Sequence, residues 1–324
     1  MKKKIGIWIF PLFIIGASLM FTNCKKEVTK KDPVITWANP ADITYGMLLS
    51  STQLNATADL SGTFDYTPAI GTKLEVGANQ DLNVVFTPSD LVGYNKTTKK
   101  VKINVTAPPT VTDADGNVYH TVAIGNQIWT VENLRTTKFN DNTVIPNVTG
   151  KVAWYALSTP ALCTYNNTNN TDTINMYGRL YNCLAIKTRK LAPTGWHIPT
   201  EKEWKTLVDY LYTNGYNYDG TTEYQFIAKA LASATGWNFS QVTGAVGNTD
   251  YPAKRNTTGF TGLPGGYRSY DGSFNNIGYS CYFGCLQEDS SKFETYESLE
   301  SSGSSLYTTG GFIGGGYSVR CVKD

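Results

Sequence analysis

Short runs in which hydrophobic and polar residues alternate, or in which β-branched residues dominate, fill the chain between residues 33 and 106. Turn residues separate these runs at intervals of roughly ten residues, a spacing typical of a small β-sandwich. The predicted strands cover residues 34–37, 53–58, 62–66, 81–86 and 101–105. Because this stretch has no cysteine, hydrophobic packing alone must hold the two predicted sheets together.

The pattern changes after a proline-containing segment at residues 107–110, which indicates a short stiff linker. Asp115 and Gly116 follow between two β-rich pairs of residues, and this combination favours a tight hairpin. We expect a second domain over residues 111–324.

Two helices are predicted inside this second domain. Thr200 and Glu203 have the spacing of a capping box, which places a helix over residues 200–211. Its apolar positions fall on one helical face and indicate core packing: Trp204, Leu207, Val208 and Leu211. A second helix is predicted over residues 223–234, and loops around short strands are predicted after Trp237.

The N-terminus has the features of an export signal. Lys2, Lys3 and Lys4 precede an apolar stretch over residues 5–21, which is short for a membrane-spanning helix. Cys24 follows where the apolar run ends, and its position resembles the lipobox of bacterial lipoproteins. We expect a signal peptide over residues 1–23, a lipid on Cys24 and a polar tether over residues 24–32; an uncleaved anchor or an ordinary secretory cleavage is the alternative.

Charge excludes one class of partner. Without the three lysines of the leader, the chain has 28 − 3 = 25 basic and 26 acidic residues. No basic field for nucleic acid is therefore expected. The chain without Cys24 has five cysteines, an odd number, and the oxidising compartment that the leader predicts permits disulfides.

Several phrases of the second domain occur in a recognisable order, and they lie at residues 113–119, 124–129, 132–134, 177–182, 195–200, 203–204, 263–268 and 318–324. Together they resemble the major paralogous domain family named from Fibrobacter succinogenes, common in Bacteroidetes surface proteins. This resemblance implies an α+β, C-type-lectin-like fold related to the formylglycine-generating group, and members have no established general activity. Phrases near residues 35–40, 64–69 and 85–90 resemble bacterial immunoglobulin-like modules, which act mostly as stalks.

The chain departs from the pattern of that family at its cysteines. Cys183 stands where members usually have tryptophan, and Ala192 stands where they often have cysteine. Cys285 lies in a segment that replaces the usual Trp-Ser-Ser. The departures suggest a rearranged disulfide between Cys183 and Cys285 as a hypothesis.

Other chemical candidates are weak. Asp113, Asp115 and Asn117 imitate the start of a calcium loop, but the twelfth position is Ile124 where a glutamate is needed, so turn chemistry is favoured. His120 and His197 are the only histidines, and His197 is expected to have a packed, hydrogen-bonded role. We expect no metal and no cofactor.

Cys281 and Cys285 are similar to the paired cysteines of copper-dependent formylglycine formation, although their context differs and structural pairing is preferred.

More than half of the residues between Pro264 and Ser318 are Gly, Tyr, Ser or Asn, a composition typical of binding loops and also of any loop-rich surface domain. The candidate ligand contacts are Tyr267, Arg268, Tyr270, Tyr279, Tyr282 and Tyr307.

These features favour a lipid-anchored binding or adhesion module of the outer membrane, facing the surface or the periplasm, with a glycan or surface protein as its ligand. A cysteine-dependent modifying enzyme and a non-binding structural protein are the alternatives.

Overall fold

A computed structural model describes residues 29–222, 224–286, 295–310 and 314–324. The described part of the chain has more residues in strands than in helices. Its contacts divide it into two units, of which the first ends at Val105 and the second comprises Thr44–Gly46 and Thr106–Asp324. The predicted signal peptide and the lipidation site Cys24 lie outside the described residues. Among the described helices, none is long and apolar enough to cross a membrane.

The first unit contains a four-stranded and a two-stranded antiparallel sheet. Its strands are β1 (Ile35–Thr36), β2 (Ile43–Thr44), β3 (Thr57–Ala58), β4 (Gly62–Thr67), β5 (Gly77–Pro88) and β6 (Thr97–Thr106). The larger sheet has the order β2-β6-β5-β4, and β1 pairs with β3. Each predicted run of this region overlaps one of these strands.

Alternation explains the core of the first unit. Along β6, Val101, Ile103 and Val105 are buried while the residues between them are not. The same period places the buried positions of β5 on the same side of the sheet. Trp37 is also buried in this unit, and its indole nitrogen donates a hydrogen bond to the carbonyl oxygen of Gln53 at 3.1 Å.

The second unit contains two larger sheets. The first has the order β12-β19-β9-β8-β7, with β7 (Thr110–Thr112), β8 (Val118–Ile124), β9 (Gln127–Thr130), β12 (Trp196–His197) and β19 (Val322–Lys323). The second has the order β10-β11-β18-β13-β15-β16-β17, and β14 also pairs with β13. Its strands are β10 (Leu162–Cys163), β11 (Leu180–Asn182), β13 (Gly265–Arg268), β14 (Phe274–Ile277), β15 (Ser280–Gly284), β16 (Thr295–Glu300), β17 (Tyr307–Gly310) and β18 (Gly316–Tyr317).

The helices of this unit are α1 (Lys151–Tyr155), α2 (Thr171–Tyr177), α3 (Cys183–Lys187), α4 (Glu201–Thr213) and α5 (Ala228–Leu231). Helix α4 confirms the capping-box prediction. The Thr200 hydroxyl accepts from the backbone N–H of Glu203, and the Glu203 carboxylate accepts from the backbone N–H of Thr200. The four predicted apolar positions of α4 are buried.

The second predicted helix is much shorter than expected. The pattern suggested residues 223–234, but α5 spans only Ala228–Leu231, and residue 223 itself lies outside the described residues. At Ala232 the backbone becomes extended and bridges to Gly262, while the N–H of Ser233 donates to the Gly262 carbonyl. Pairing with a distant segment therefore overrides the local helical pattern.

The hairpin prediction at Asp115 and Gly116 is confirmed, since β7 and β8 pair on either side of it. One oxygen of the Asp113 carboxylate accepts from the backbone N–H groups of Asp115 and Asn117, and the other accepts from the Tyr119 hydroxyl. These donors occupy the Asp113 oxygens that a calcium ion would require. The motif therefore stabilises the turn through hydrogen bonds to the Asp113 carboxylate.

A buried arginine links the two ends of the second unit. Arg320 is fully buried, and its guanidinium donates to four oxygen acceptors: Asn133 Oδ1 and the carbonyl oxygens of Thr130, Phe260 and Thr261. The group also lies 4.7 Å from the centre of the Phe260 ring. Carbonyl oxygens and an aromatic face thus compensate the desolvation of this charge.

Candidate ligand-binding surface

Strands β15, β16 and β17 form a sheet segment with two different faces. Cys281 pairs with Leu299, and Phe283 pairs with Glu297. Directly opposed residues point to the same side of a sheet. Since Cys281, Phe283 and Leu299 pack in the main hydrophobic cluster, their side defines the inner face.

The outer face contains the alternate residues of the same three strands. They are Ser280, Tyr282, Gly284, Tyr296, Ser298, Glu300, Tyr307 and Thr309. None of these has an aliphatic side chain. Aromatic rings, hydroxyl groups and one carboxylate therefore make up this face.

Four tyrosines form a contiguous cluster, two of them on the outer face and two on the strands β13 and β18 of the same sheet. We call Tyr267, Tyr282, Tyr296 and Tyr317 the tyrosine cluster. The ring centre of Tyr282 lies 4.7 Å from that of Tyr267 and 5.0 Å from that of Tyr296. The Tyr317 ring stacks at 5.1 Å on Tyr296 and at 6.4 Å on Tyr267. Each ring is held by others, so the cluster is rigid.

The four tyrosines of the cluster differ in how deeply they are buried. Tyr282 and Tyr317 are buried, whereas Tyr267 and Tyr296 are half-buried. Burial raises the pKa of the Tyr267 and Tyr296 phenols above its ordinary value, so both remain protonated at neutral pH. The buried Tyr282 hydroxyl accepts a hydrogen bond from the Asn276 amide at 3.0 Å. The two half-buried rings can therefore offer both an aromatic face and a hydrogen-bond donor.

The structure places the sequence-predicted contacts at several locations. Tyr282 and Tyr307 lie on the outer face, and Tyr307 is 41% exposed. Tyr267 lies on β13 and belongs to the tyrosine cluster. Tyr279, 57% exposed, lies in the turn before β15, and Tyr270, 43% exposed, lies in the turn after β13. Tyr282 is too buried to contact a ligand directly, and it supports its neighbours instead.

Arg268 was expected to contact a ligand, and the structure gives it a different role. Only 1% of it is exposed. Its guanidinium donates to the carbonyl oxygens of Val148, Thr149 and Gly272, and it lies 4.3 Å from the centre of the Trp154 ring. Neighbouring β-strand residues point to opposite sides, so Arg268 anchors the β13–β14 hairpin while Tyr267 faces outward.

Sequence reasoning missed three tyrosines near these positions. Tyr296 and Tyr317 complete the tyrosine cluster, and Tyr155 lies beside Tyr270 with 6.4 Å between the ring centres. The alternation of residues 295–300 could have marked Tyr296 as sharing a face with Ser298. No local signal identifies Tyr155, because α1 is distant from Tyr270 in sequence.

The hypothetical bridge between Cys183 and Cys285 is absent from the structure. No disulfide joins any of the five cysteines in the described part of the chain, and all five are buried. Cys183 packs with the tyrosine cluster, whereas Cys285 packs in the inner-face cluster. The two side chains lie on opposite sides of β15, which explains why they do not pair.

Cys281 and Cys285 are also kept apart. They lie four residues apart along an extended segment, which corresponds to about 13 Å. Burial raises the pKa of the Cys281 thiol to about 12 and that of Cys285 well above its ordinary value. Two separated, protonated thiols are poorly suited to hold one copper ion between them. The geometry thus provides no support for the cysteine-dependent enzyme.

The expected role of His197 is confirmed. Its Nδ1 lies 2.7 Å from an Asp324 carboxylate oxygen, and its Nε2 lies 2.6 Å from Glu203 Oε1. Burial alone would lower the pKa of His197, but the hydrogen bonds to Asp324 and Glu203 outweigh it and raise that pKa. The imidazole is thereby fixed between the last residues of the chain and helix α4.

The second unit is mostly β, with a fully buried arginine in its core and a cluster of four packed tyrosines. The chain matches the Fibrobacter succinogenes major domain over residues 122–323, which is more than half of its length, and it belongs to that family. No curated protein matches the chain. No solved structure matches it either.

Proposed function

We propose that the chain is a binding module of the cell envelope and that its second unit binds a glycan through the outer face. The observation that carries this proposal is the tyrosine cluster, in which two half-buried rings rest on two buried ones. Rigid rings lose little conformational entropy on binding, and their faces suit the C–H groups of sugar rings.

The surroundings of the rings favour a glycan over a protein ligand. Thr309 and Asn276 are exposed and place a hydroxyl and an amide group beside the cluster. Such groups hydrogen-bond to sugar hydroxyls in either direction. The cores of protein–protein interfaces are more apolar than this face, which has no aliphatic side chain from β15, β16 or β17.

The finer architecture is part of the same proposal. We infer a C-type-lectin-like fold for the second unit and an immunoglobulin-like stalk for the first. Support for the former comes from the sheet in which β19, the last strand, pairs with both β9 and β12. Support for the latter comes from the two antiparallel sheets of the first unit.

The cellular location of the protein is also part of the proposal. The leader sequence and the position of Cys24 support a lipid anchor in the outer membrane, facing the surface or the periplasm. Metabolic labelling with palmitate should mark the wild-type chain and fail to mark Cys24→Ala. Equal labelling of the two would contradict the anchor.

A glycan array tests the binding function. The full secreted chain, carrying Cys24→Ser to keep it free of lipid, should bind a subset of polysaccharides on the array. Tyr267→Ala and Tyr296→Ala should each weaken that binding about tenfold, since a ring contact contributes about 1 kcal/mol beyond the area that it buries.

Tyr224→Ala is the matched control, because Tyr224 is an exposed tyrosine of the same unit outside the cluster. Glycan binding that survives both cluster substitutions would contradict the proposed surface. If no glycan binds and a surface protein is captured through the same tyrosines, the ligand is a protein and the glycan proposal is wrong.

A further inference from the structure

A second feature of the domain lies away from the tyrosine cluster. An open cleft of about 450 Å³ is lined by residues from the segment after α3, the loop before α4 and the first turns of α4, and by Leu286, the second residue after β15. Its lining residues include Arg189, His197, Lys202, Ile198 and Leu286. The cleft has room for one sugar-sized group, and the functional surface described above does not use it.

The charges in the cleft are not balanced locally. Arg189 and Lys202 are exposed, and within the described ranges neither makes an ion pair. Glu203 is the only acidic residue of the lining, and its two oxygens are already engaged. Oε1 bonds to His197 Nε2, while Oε2 accepts from the backbone N–H and the hydroxyl of Thr200. Two cationic groups therefore remain available for a ligand.

One part of the remaining wall is apolar, and Thr200 and Thr206 contribute hydroxyl groups beside it. Ala192, Ile198 and Leu286 are buried residues that contribute to the lining. An apolar wall with a few convergent polar groups is the usual form of a small-molecule site. Arginine and lysine side chains together bind carboxylate and sulfate groups through charge-assisted hydrogen bonds.

We propose that this cleft binds a small oxyanion-bearing ligand, a carboxylate or sulfate on a sugar-sized molecule. Arg189 and Lys202 hold the oxyanion, and Ala192, Ile198 and Leu286 contact the uncharged part of the ligand. His197 fixes the wall, because both of its ring nitrogens are used inside the protein. This site is independent of the tyrosine cluster and of the proposed glycan function.

Isothermal titration at constant ionic strength tests the site in the full secreted chain carrying Cys24→Ser. The probes are glucuronate, glucose 6-sulfate and neutral glucose. At least one acidic probe should bind with a millimolar dissociation constant, and glucose should bind at least tenfold more weakly. The double variant Arg189→Gln/Lys202→Gln should lose binding of the acidic probe by about tenfold or more, because a hydrogen bond to a charged group contributes about 1.5–3 kcal/mol.

Lys96→Gln provides the matched charge control in the first unit, and Tyr296→Ala controls for the tyrosine cluster; both should retain wild-type affinity. Preference for glucuronate assigns a carboxylate ligand, and preference for glucose 6-sulfate assigns a sulfate ligand. Three results would overturn the proposal: no saturable binding of either acid, equal binding of glucose, or full affinity in the double variant. The two substituted side chains are exposed, so the melting temperature should stay within a few degrees of wild type.

Discussion

The inner and outer faces of β15, β16 and β17 are built from alternate residues of the same strands, yet they differ in chemistry. The inner face presents Cys281, Phe283 and Leu299 to the main core. The outer face presents tyrosines that pack mainly on one another. Alternate residues of the same strands thus belong to two separate packing clusters, although they are neighbours in sequence.

The two faces also differ in the residues that pack against them. Phe283 contacts Trp204 and Phe260, which belong to other elements, at ring distances of 5.5 and 5.6 Å. Tyr296 contacts only tyrosines among the described aromatic residues. Loss of an inner ring should thus disturb several elements at once, whereas loss of an outer ring should disturb the cluster alone.

The largest expected effect is a difference in stability between two aromatic substitutions. Phe283→Ala should cost about 3–5 kcal/mol of unfolding free energy, because it leaves a cavity in the close-packed core. Tyr296→Ala should cost about 1–2 kcal/mol, because its ring is only half-buried. Urea denaturation followed by circular dichroism measures both values.

Phe283→Leu is the conservative control for volume and should recover a large part of the loss. Equal costs for the two alanine substitutions would remove the distinction between a structural face and a recognition face.

A smaller effect concerns the one carboxyl of the inner face. Burial raises the pKa of Glu297 to about 7, and the hydrogen bond from the Thr308 hydroxyl offsets only part of this. The folded protein therefore binds more protons than the unfolded chain between pH 4.5 and about 7. Its stability should fall as pH rises through this window, by an amount on the order of 3 kcal/mol from this group.

Glu297→Gln should remove that part of the pH dependence and be more stable than wild type above pH 7. Glu300→Gln, which changes a carboxylate on the outer face of the same strand, is the matched control. Denaturation curves at pH 5 and pH 8 provide the test, and a wild-type slope retained in Glu297→Gln would contradict it.

The smallest expected effect distinguishes the contribution of the Tyr282 hydroxyl to stability from that of the Tyr282 ring. Tyr282→Phe keeps the ring contacts with Tyr267 and Tyr296 but loses the hydrogen bond with Asn276. We expect a loss of about 1 kcal/mol in stability. Ligand affinity should be nearly unchanged, because Tyr282 is buried. A large loss of affinity would show that the buried hydroxyl positions the exposed rings.

Local signals predicted much of the fold from sequence. The capping box of α4 and the hairpin at Asp115 depend on residues close together in the chain, so the sequence alone contains their chemistry. The predicted length of the second helix was wrong because Ala232 bridges to Gly262, a pairing that no local pattern reveals. Short-range interactions were predictable, and long-range strand pairing was not.

The candidate surface was only partly predictable for the same reason. Tyrosine content identified the region that contains the tyrosine cluster, but composition cannot tell which side of a strand each ring occupies. Arg268 and Tyr267 are adjacent, yet one is buried in a hairpin anchor and the other faces outward. The cleft at Arg189 depends on three elements that meet only in the folded structure.

The bonds of Arg320 have a consequence for when this domain can fold. Its partners Asn133 and Thr130 precede it by 187 and 190 residues. A chain that is synthesised from its N-terminus lacks this guanidinium until nearly all of the second unit has appeared. Until then the four oxygen acceptors lack their buried donor, so the core of the second unit can be completed only when its final residues are present.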